Sequence, residues 1–365
     1  MDMKKASGSV IENIRVRELH APLLQPFRIA LGEHRELDNL LVELRLKDGS
    51  IGCGEAAIAS HITGETVEET RRNILKAAGR LRGRSAGEYL RIVQELHEAF
   101  PRNKAAVAAL ETALLDALMR RLRLPLWKLF GSKAERLTTD ITIVIGSLEE
   151  TQEKTREFHR AGFRAFKIKV GGPDMDLDFQ RVAAVARFAP RSKILLDANQ
   201  GYDARQALKF IRRLEKAGIR IDLLEQPVPK KDIEGLAQVT RGSKVLVCAD
   251  ESASSMPDVV ELIKKRAVGA VNIKLMKTGL IHGFEIARLS RASGMKLMIG
   301  GMMESNLAMT AAAHLAAACG YFDFIDLDTP FFVKGEARKN PYLSARGVYD
   351  LRKVRAGIGL WCQGS

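Results

Sequence analysis

Lys193-Ile194-Leu195-Leu196-Asp197, Ile221-Asp222-Leu223-Leu224-Glu225 and Leu246-Val247-Cys248-Ala249-Asp250 are three short, mostly apolar runs, and each ends in a carboxylate. Runs of this length set between amphipathic stretches read as buried parallel strands. Similar runs occur at residues 140–145, 165–170, 270–275, 296–300 and 322–328, which makes eight. Helical stretches separate them, among them residues 148–161, 203–217, 256–265, 279–293 and 305–319. Strand and helix alternating in this way predict an α/β fold, a (β/α)7β TIM-like barrel. A doubly wound open sheet is the alternative, but its usual marks, a G-x-G-x-x-G turn after an early strand or a Walker-type loop, are missing.

Upstream of the barrel the texture differs. Residues 11–19 and 40–46 alternate as strands do, and Lys47-Asp48-Gly49-Ser50 is a turn leading into Ile51. Helical periodicity follows at 67–81, 86–99 and 104–123, so an α+β capping domain is expected. The expected organisation is 1–132 for the capping domain, 133–335 for the barrel, and 336–365 for a C-terminal segment that packs back on the cap.

Composition bounds the function. The chain has 365 residues, 46% hydrophobic and 28% charged, with a net charge of +14, so disorder is excluded. Its four cysteines, Cys53, Cys248, Cys319 and Cys362, show no paired metal-ligand spacing and read as reduced thiols. Met1 to Arg17 is polar and lacks an apolar stretch of signal-peptide length, so the expected compartment is the cytoplasm. The apolar segment 307–320 is too short to span a bilayer, which needs roughly 18 residues or more. Lys and Arg are spread over amphipathic helices without interleaved aromatics, as in Arg71, Arg72, Lys76 and Arg80. That pattern reads as a solvated basic face; the expected partners include neither nucleic acid nor membrane, and the chain is expected to be a homo-oligomer.

The chemistry lies at the strand ends, because that face of a barrel carries the site-building loops. One terminal carboxylate could simply cap the next helix. Three on consecutive strands, Asp197, Glu225 and Asp250, would repel one another unless a cation lies among them, and an all-oxygen set suits Mg²⁺, with Mn²⁺ as a substitute. On the second strand Lys167 and Lys169 share a face by the two-residue period, and the sixth strand carries Lys274. Strands two and six oppose each other in a ring of eight, so two lysines face each other across whatever the cation holds. This suits removal of a proton from carbon on one side and delivery on the other, with each lysine's pKa brought down by neighbouring cations. On the last strand Asp326 and Asp328 share a face and form an expected pocket for a cationic group of the substrate.

These motifs, Lys167-Ile168-Lys169, Asp197-Ala198-Asn199-Gln200-Gly201, Glu225-Gln226-Pro227, Asp250-Glu251-Ser252, Asn272-Ile273-Lys274 and Gly301-Met302-Met303-Glu304-Ser305, resemble the enolase superfamily and its muconate-lactonizing-enzyme subgroup. The resemblance spans nearly the whole chain. It implies Mg²⁺, one per subunit, on Asp197, Glu225 and Asp250, with Lys169 and Lys274 as the acid/base pair and Lys167 as an electrostatic helper. Asp326-Leu327-Asp328 resembles the Asp-x-Asp of dipeptide epimerases, where the pair binds the free amino terminus. The implied reaction inverts the α-carbon of the C-terminal residue of an L,L-dipeptide. Muconate-type cycloisomerases and o-succinylbenzoate synthase or N-acylamino acid racemase share the scaffold and are the alternative; a basic nucleic-acid-binding protein is a remote one. Relatives acting on Ala-Glu carry an Arg where Gly32 stands here, so the expected C-terminal side chain is hydrophobic or basic, with Glu33 as partner for a basic one. His34 and Ile62 from the two cap loops, with Asn199 and Glu304, complete the expected substrate contacts; His34, Arg35 and His61 are the groups that would serve an acidic substrate.

Overall fold

The computed structural model describes residues 8–30, 32–131 and 133–362, without the side chains of residues 61 and 62. The N-terminal part is a three-stranded antiparallel sheet, β1 (Ile11–Ile29), β2 (Gly32–Leu46) and β3 (Ile51–Ala57), followed by α1 (Ser60–Thr63), α2 (Val67–Leu81), α3 (Tyr89–Ala99) and α4 (Lys104–Arg121). Helix α4 is buried from Ala105 to Met119 because β3 lies directly on one side of it and β2, α2, α3 and the barrel helix at residues 275–292 cover the others. Gly52 and Gly54 permit that approach, since a Cβ on either would collide with the α4 backbone at Ala113 or Ala109.

β1 and β2 differ from the expected short strands. They form one long hairpin whose far end pairs Phe27 with His34 and Ile29 with Gly32. Pro22 and Pro26 obscure the strand in the sequence, and the pairing does shift register between Pro22 and Phe27. The hairpin end rests on the barrel. Leu24 N donates to Phe332 O at 2.7 Å, Ile145 N donates to Arg28 O at 3.1 Å, and Phe27 meets Phe332 edge to face at 5.1 Å.

After β4 (Leu137–Thr138) come eight parallel strands in sequential order: β5 (Ile141–Ile143), β6 (Ala165–Lys169), β7 (Lys193–Asp197), β8 (Leu223–Glu225), β9 (Val247–Ala249), β10 (Ala270–Lys274), β11 (Lys296–Gly300) and β12 (Phe324–Ile325). Seven helices fill the crossovers: α5 (Leu148–Ala161), α6 (Met175–Phe188), α7 (Ala204–Lys216), α8 (Ile233–Gly242), α9 (Met256–Lys265), α10 (Leu275–Ala292) and α11 (Asn306–Cys319). The sheet curls until its first and last strands meet, where Asp140 N donates to Ile325 O at 2.9 Å. This is the (β/α)7β architecture expected of the sequence.

Period-two alternation sorts the side chains. Phe166, Ile168, Ile194 and Leu196 face the helices in the main core, whereas Leu195, Leu223, Cys248, Ala270, Met298 and Phe324 form a separate apolar plug inside the barrel. Two residues further along those same inward columns stand Asp197, Glu225, Asp250, Asn272, Gly300 and Asp326. The plug seals the barrel beneath a polar layer at its carboxyl end.

The C-terminal segment returns to the cap. β13 (Val348–Tyr349) pairs with β4, Leu126 N donates to Gly357 O at 2.7 Å, and Ile358 N donates to Asp116 Oδ1 at 2.7 Å. Cys53 and Cys362 are joined in a disulfide, which corrects the expectation of four free thiols; Cys248 and Cys319 are free. No spacing pattern could announce a bond between residues 309 positions apart. Among the described residues no helix is long and apolar enough to cross a membrane.

Candidate active site

Lys167, at the centre of β6, is the strut of the polar layer. Its ammonium lies 3.0 Å from Asp197, 2.8 Å from Glu225 and 2.7 Å from Asp326. One turn of the pleat higher, Lys169 Nζ donates to Asp197 Oδ2 at 2.6 Å and to Asn199 Oδ1 at 3.2 Å. On the opposite strand Lys274 pairs with Asp250 Oδ2 at 2.7 Å. Asp250 Oδ1 is held by Lys277 at 2.6 Å, and Asn272 Nδ2 donates to Glu225 Oε1 at 2.7 Å.

These groups converge on a cavity of about 550 Å³. Lys167, Lys169, Lys274, Asn199, Asp326 and Asp328 line it from the barrel, and His34, Phe27 and Ile29 from the hairpin. Asp197, Glu225 and Asp250 lie beneath, no more than 2% exposed. Gly32 and Glu33 stand away from this wall at the hairpin tip, where Glu33 bonds Arg28 and Arg35, each at 2.7 Å. Glu304 is buried behind it and accepts from Met302 N at 2.6 Å. The side chain of Ile62 lies outside the described residues.

Charge is distributed unevenly. Burial raises Asp197 and Asp250, but the lysines around them outweigh it and hold both carboxyls below the usual range. Burial and the Asp197 charge push Glu225 up. Burial acts to lower Lys274, yet Asp250 prevails and its pKa lies above the ordinary value; for Lys167 burial is likewise overcome, by Asp197, Asp326 and Glu225. For Lys167 and Lys274 the downward shift expected from cation–cation repulsion is therefore not produced by this chain's own groups. The carboxylates are the nearer partners.

Among the described residues, the acidic groups whose oxygens come within 4.8 Å of one another are Asp140, Asp326 and Asp328, not the strand-end trio, which is interleaved with lysines. Asp326 Oδ2 accepts from Lys167 and Asp328 Oδ2 from Thr142 N at 2.6 Å. Burial and Asp326 push Asp328 up to about 7, and burial raises Asp140 well above the usual carboxylate value. Such a cluster holds a proton or calls for a cation. Asp140 and Thr142 escaped the sequence reading although the same period-two rule puts both on the inward face of the first barrel strand.

The strand-end trio fits a hard divalent cation on two observations. All three residues offer oxygen, and acceptor capacity is left over: Glu225 Oε2 touches Lys167 without the alignment of a hydrogen bond, and neither oxygen of the adjacent Glu251 has a partner. Asp197, Glu225 and Asp250 would hold the ion.

Residues 11–131 match the family described as mandelate racemase / muconate lactonizing enzyme, N-terminal domain, and residues 150–362 match the enolase C-terminal domain-like family. The chain belongs to the enolase superfamily. A hydrophobic dipeptide epimerase of Citrifermentans bemidjiense is 49% identical over 94% of this chain and 95% of its own. An aromatic dipeptide epimerase of Herpetosiphon aurantiacus is 37% identical over 96% and 99%. Among solved structures, the Enterococcus faecalis dipeptide epimerase complexed with Mg and L-Leu-L-Tyr superposes with a TM-score of 0.90 at 33% identity, covering 96% of this chain and 99% of that one. This superfamily member is an isomerase of the racemase and epimerase class.

Proposed function

We propose that this isomerase acts on L,L-dipeptides with a hydrophobic C-terminal residue, inverting that residue's α-carbon. One observation carries the reading: Asp326 and Asp328 line the same cavity as Lys169 and Lys274. A free amino terminus is a cation that such a carboxylate pair would bind, whereas a muconate or succinylbenzoate substrate has no ammonium to offer. The names of the relatives agree with it.

The substrate's ammonium would sit at Asp326 and Asp328, which sets the α-carbon of its C-terminal residue between the two lysines. In one direction the amine of Lys169 takes the α-proton, the C–H electron pair remains on the substrate as an enediolate, and the Lys274 ammonium delivers a proton to the opposite face. The reverse reaction exchanges the roles. Lys274, held protonated by Asp250, is suited to begin as the acid. A divalent cation, Mg²⁺ or Mn²⁺, on Asp197, Glu225 and Asp250 would supply positive charge opposite the enediolate.

The hydrophobic preference rests on the wall. Phe27, Ile29, Ala59, Met302 and Met303 surround the space facing the hairpin. Glu33, expected as the partner for a basic side chain, is occupied by Arg28 and Arg35. A homo-oligomer completes the reading, to be checked by sedimentation; the cytoplasm expected from the sequence is to be checked by fractionation, against the Cys53–Cys362 disulfide, which a reducing compartment disfavours.

A dipeptide library incubated with enzyme and Mg²⁺ in D₂O, read by mass spectrometry, tests it. Dipeptides ending in Leu, Phe or Tyr should gain one α-deuterium, ahead of those ending in Glu or Lys. Absence of exchange in every dipeptide, with turnover of a muconate or succinylbenzoate precursor, would sink the proposal.

A further inference from the structure

Glu251 follows the third acidic strand end and plays no part in the bonding described so far. Its side chain is 8% exposed and neither carboxylate oxygen has a hydrogen-bond partner. Buried carboxylates are ordinarily paired, because removing one from water unpaired is strongly unfavourable. The neighbouring donors are committed elsewhere. Lys274 is bonded to Asp250 Oδ2 at 2.7 Å, and Lys277 to Asp250 Oδ1 at 2.6 Å and Asn272 O at 3.0 Å. Ser252 Oγ donates to Lys230 O at 2.8 Å and Ser254 Oγ to the Glu251 backbone carbonyl at 3.0 Å. The charges that act on the Glu251 carboxylate include those of Asp250 and Asp197, two of the three residues placed on the cation.

We infer that Glu251 is a positioning residue of the divalent-cation centre, its two oxygens accepting hydrogen bonds from water carried by the ion that Asp197, Glu225 and Asp250 hold. The inference rests on the metal reading of that trio. A divalent ion supplies the missing partner in two ways: its charge adds to the distant attraction of Lys274, which is bonded to Asp250 and not to Glu251, and its water ligands are strong donors in need of an acceptor. The buried loop position suits this function. Gln226 Oε1 accepts from both Asp250 N at 3.0 Å and Ser252 N at 3.2 Å, so the backbone on either side of Glu251 is fixed from β8.

The test compares wild-type protein with Glu251→Gln, an isosteric change that removes the charge, using Mn²⁺ binding followed by the EPR signal of the free ion. Outer groups of this kind typically alter metal affinity about 10–100-fold. Glu251→Gln is expected to weaken Mn²⁺ binding by that factor, while in metal-free buffer its melting temperature equals or exceeds that of wild type, because an unpaired buried charge is gone. Added Mn²⁺ should then raise the wild-type melting temperature more than the variant's. Equal Mn²⁺ affinity in the two proteins would overturn the inference and leave the metal reading standing. Wild-type protein that binds no Mn²⁺ would overturn both.

Discussion

Lys167 touches three carboxylates and lines the cavity, yet it is the outer pair, Lys169 and Lys274, that the proposed reaction requires to change protonation state. Replacing either by Ala should therefore reduce epimerisation by three orders of magnitude or more, in line with about 10²–10⁴ for loss of one general acid or base and the added loss of charge. The two variants should differ in D₂O: each keeps the base for one face only, so one epimer exchanges its α-proton while the other stays inert. Full activity in either variant, measured by chiral chromatography, would contradict the two-base scheme. At this scale the sequence was readable wherever period two applied. Lys167, Lys169, Asp197, Glu225, Asp250, Lys274, Asp326 and Asp328 all lie on inward columns. Lys277 escaped because it belongs to α10, and only folding brings it to Asp250. Gly32 and Glu33 do not line the cavity, since resemblance can assign a loop position while leaving open where its side chain goes.

Elements follow the same logic, with glycine as the arbiter of contact. β3 lies on α4 at Gly52 and Gly54, and a Cβ at Gly54 would meet backbone, which cannot rotate away. Gly54→Ala should destabilise the protein by at least about 2 kcal/mol, at the upper part of the usual range for overpacking. A lowered urea midpoint would show it; an unchanged midpoint would mean that sheet and helix can separate freely. Helices were legible where local chemistry marks their ends. α9 runs from Met256 to Lys265 as expected, because Ser255 accepts from Asp258 N and Pro257 sits in the first turn. α10 instead starts earlier than its periodicity indicated, at Leu275, and kinks at Gly279. The second half of that helix begins under Glu111 of the cap, whose Oε1 accepts from Ile281 N at 2.6 Å. A residue 170 positions away in the chain sets this boundary, so no local pattern could announce it. The long hairpin was hidden because Pro22 and Pro26 interrupt its strand pattern; its outer end pairs Phe27 with His34 and also bonds the barrel at Phe332 and Ile145.

For the whole molecule the question is what fastens cap, barrel and C-terminal segment together. The Cys53–Cys362 disulfide is one fastening. Thiol titration of the denatured, unreduced chain should find two reactive groups, and reduction should lower stability by about 2–4 kcal/mol. His314 is a second fastening. From α11 its Nδ1 accepts from Trp127 N at 3.1 Å, so the neutral ring carries its proton on Nε2 and donates to Ile358 O at 3.0 Å. It thereby ties the end of the cap and the C-terminal segment to the barrel. Burial pushes the ring down to about 4, against roughly 6.5 in an unfolded chain. As pH falls from 6.5 towards 4, the unfolded state gains a proton that the folded state refuses, so the His314 contribution shrinks, and below 4 it has levelled off. Glu251 and Asp328, both raised to about 7, act in the opposite sense, since the folded state binds their protons first and loses stability as pH rises. Total stability against pH thus mixes the two, and only a difference isolates the histidine. His314→Gln should be markedly less stable than wild type at pH 7.5, and the gap should narrow steadily to pH 4. A gap that stays constant across that window, in denaturant titrations at each pH, would show that His314 is protonated equally readily folded and unfolded.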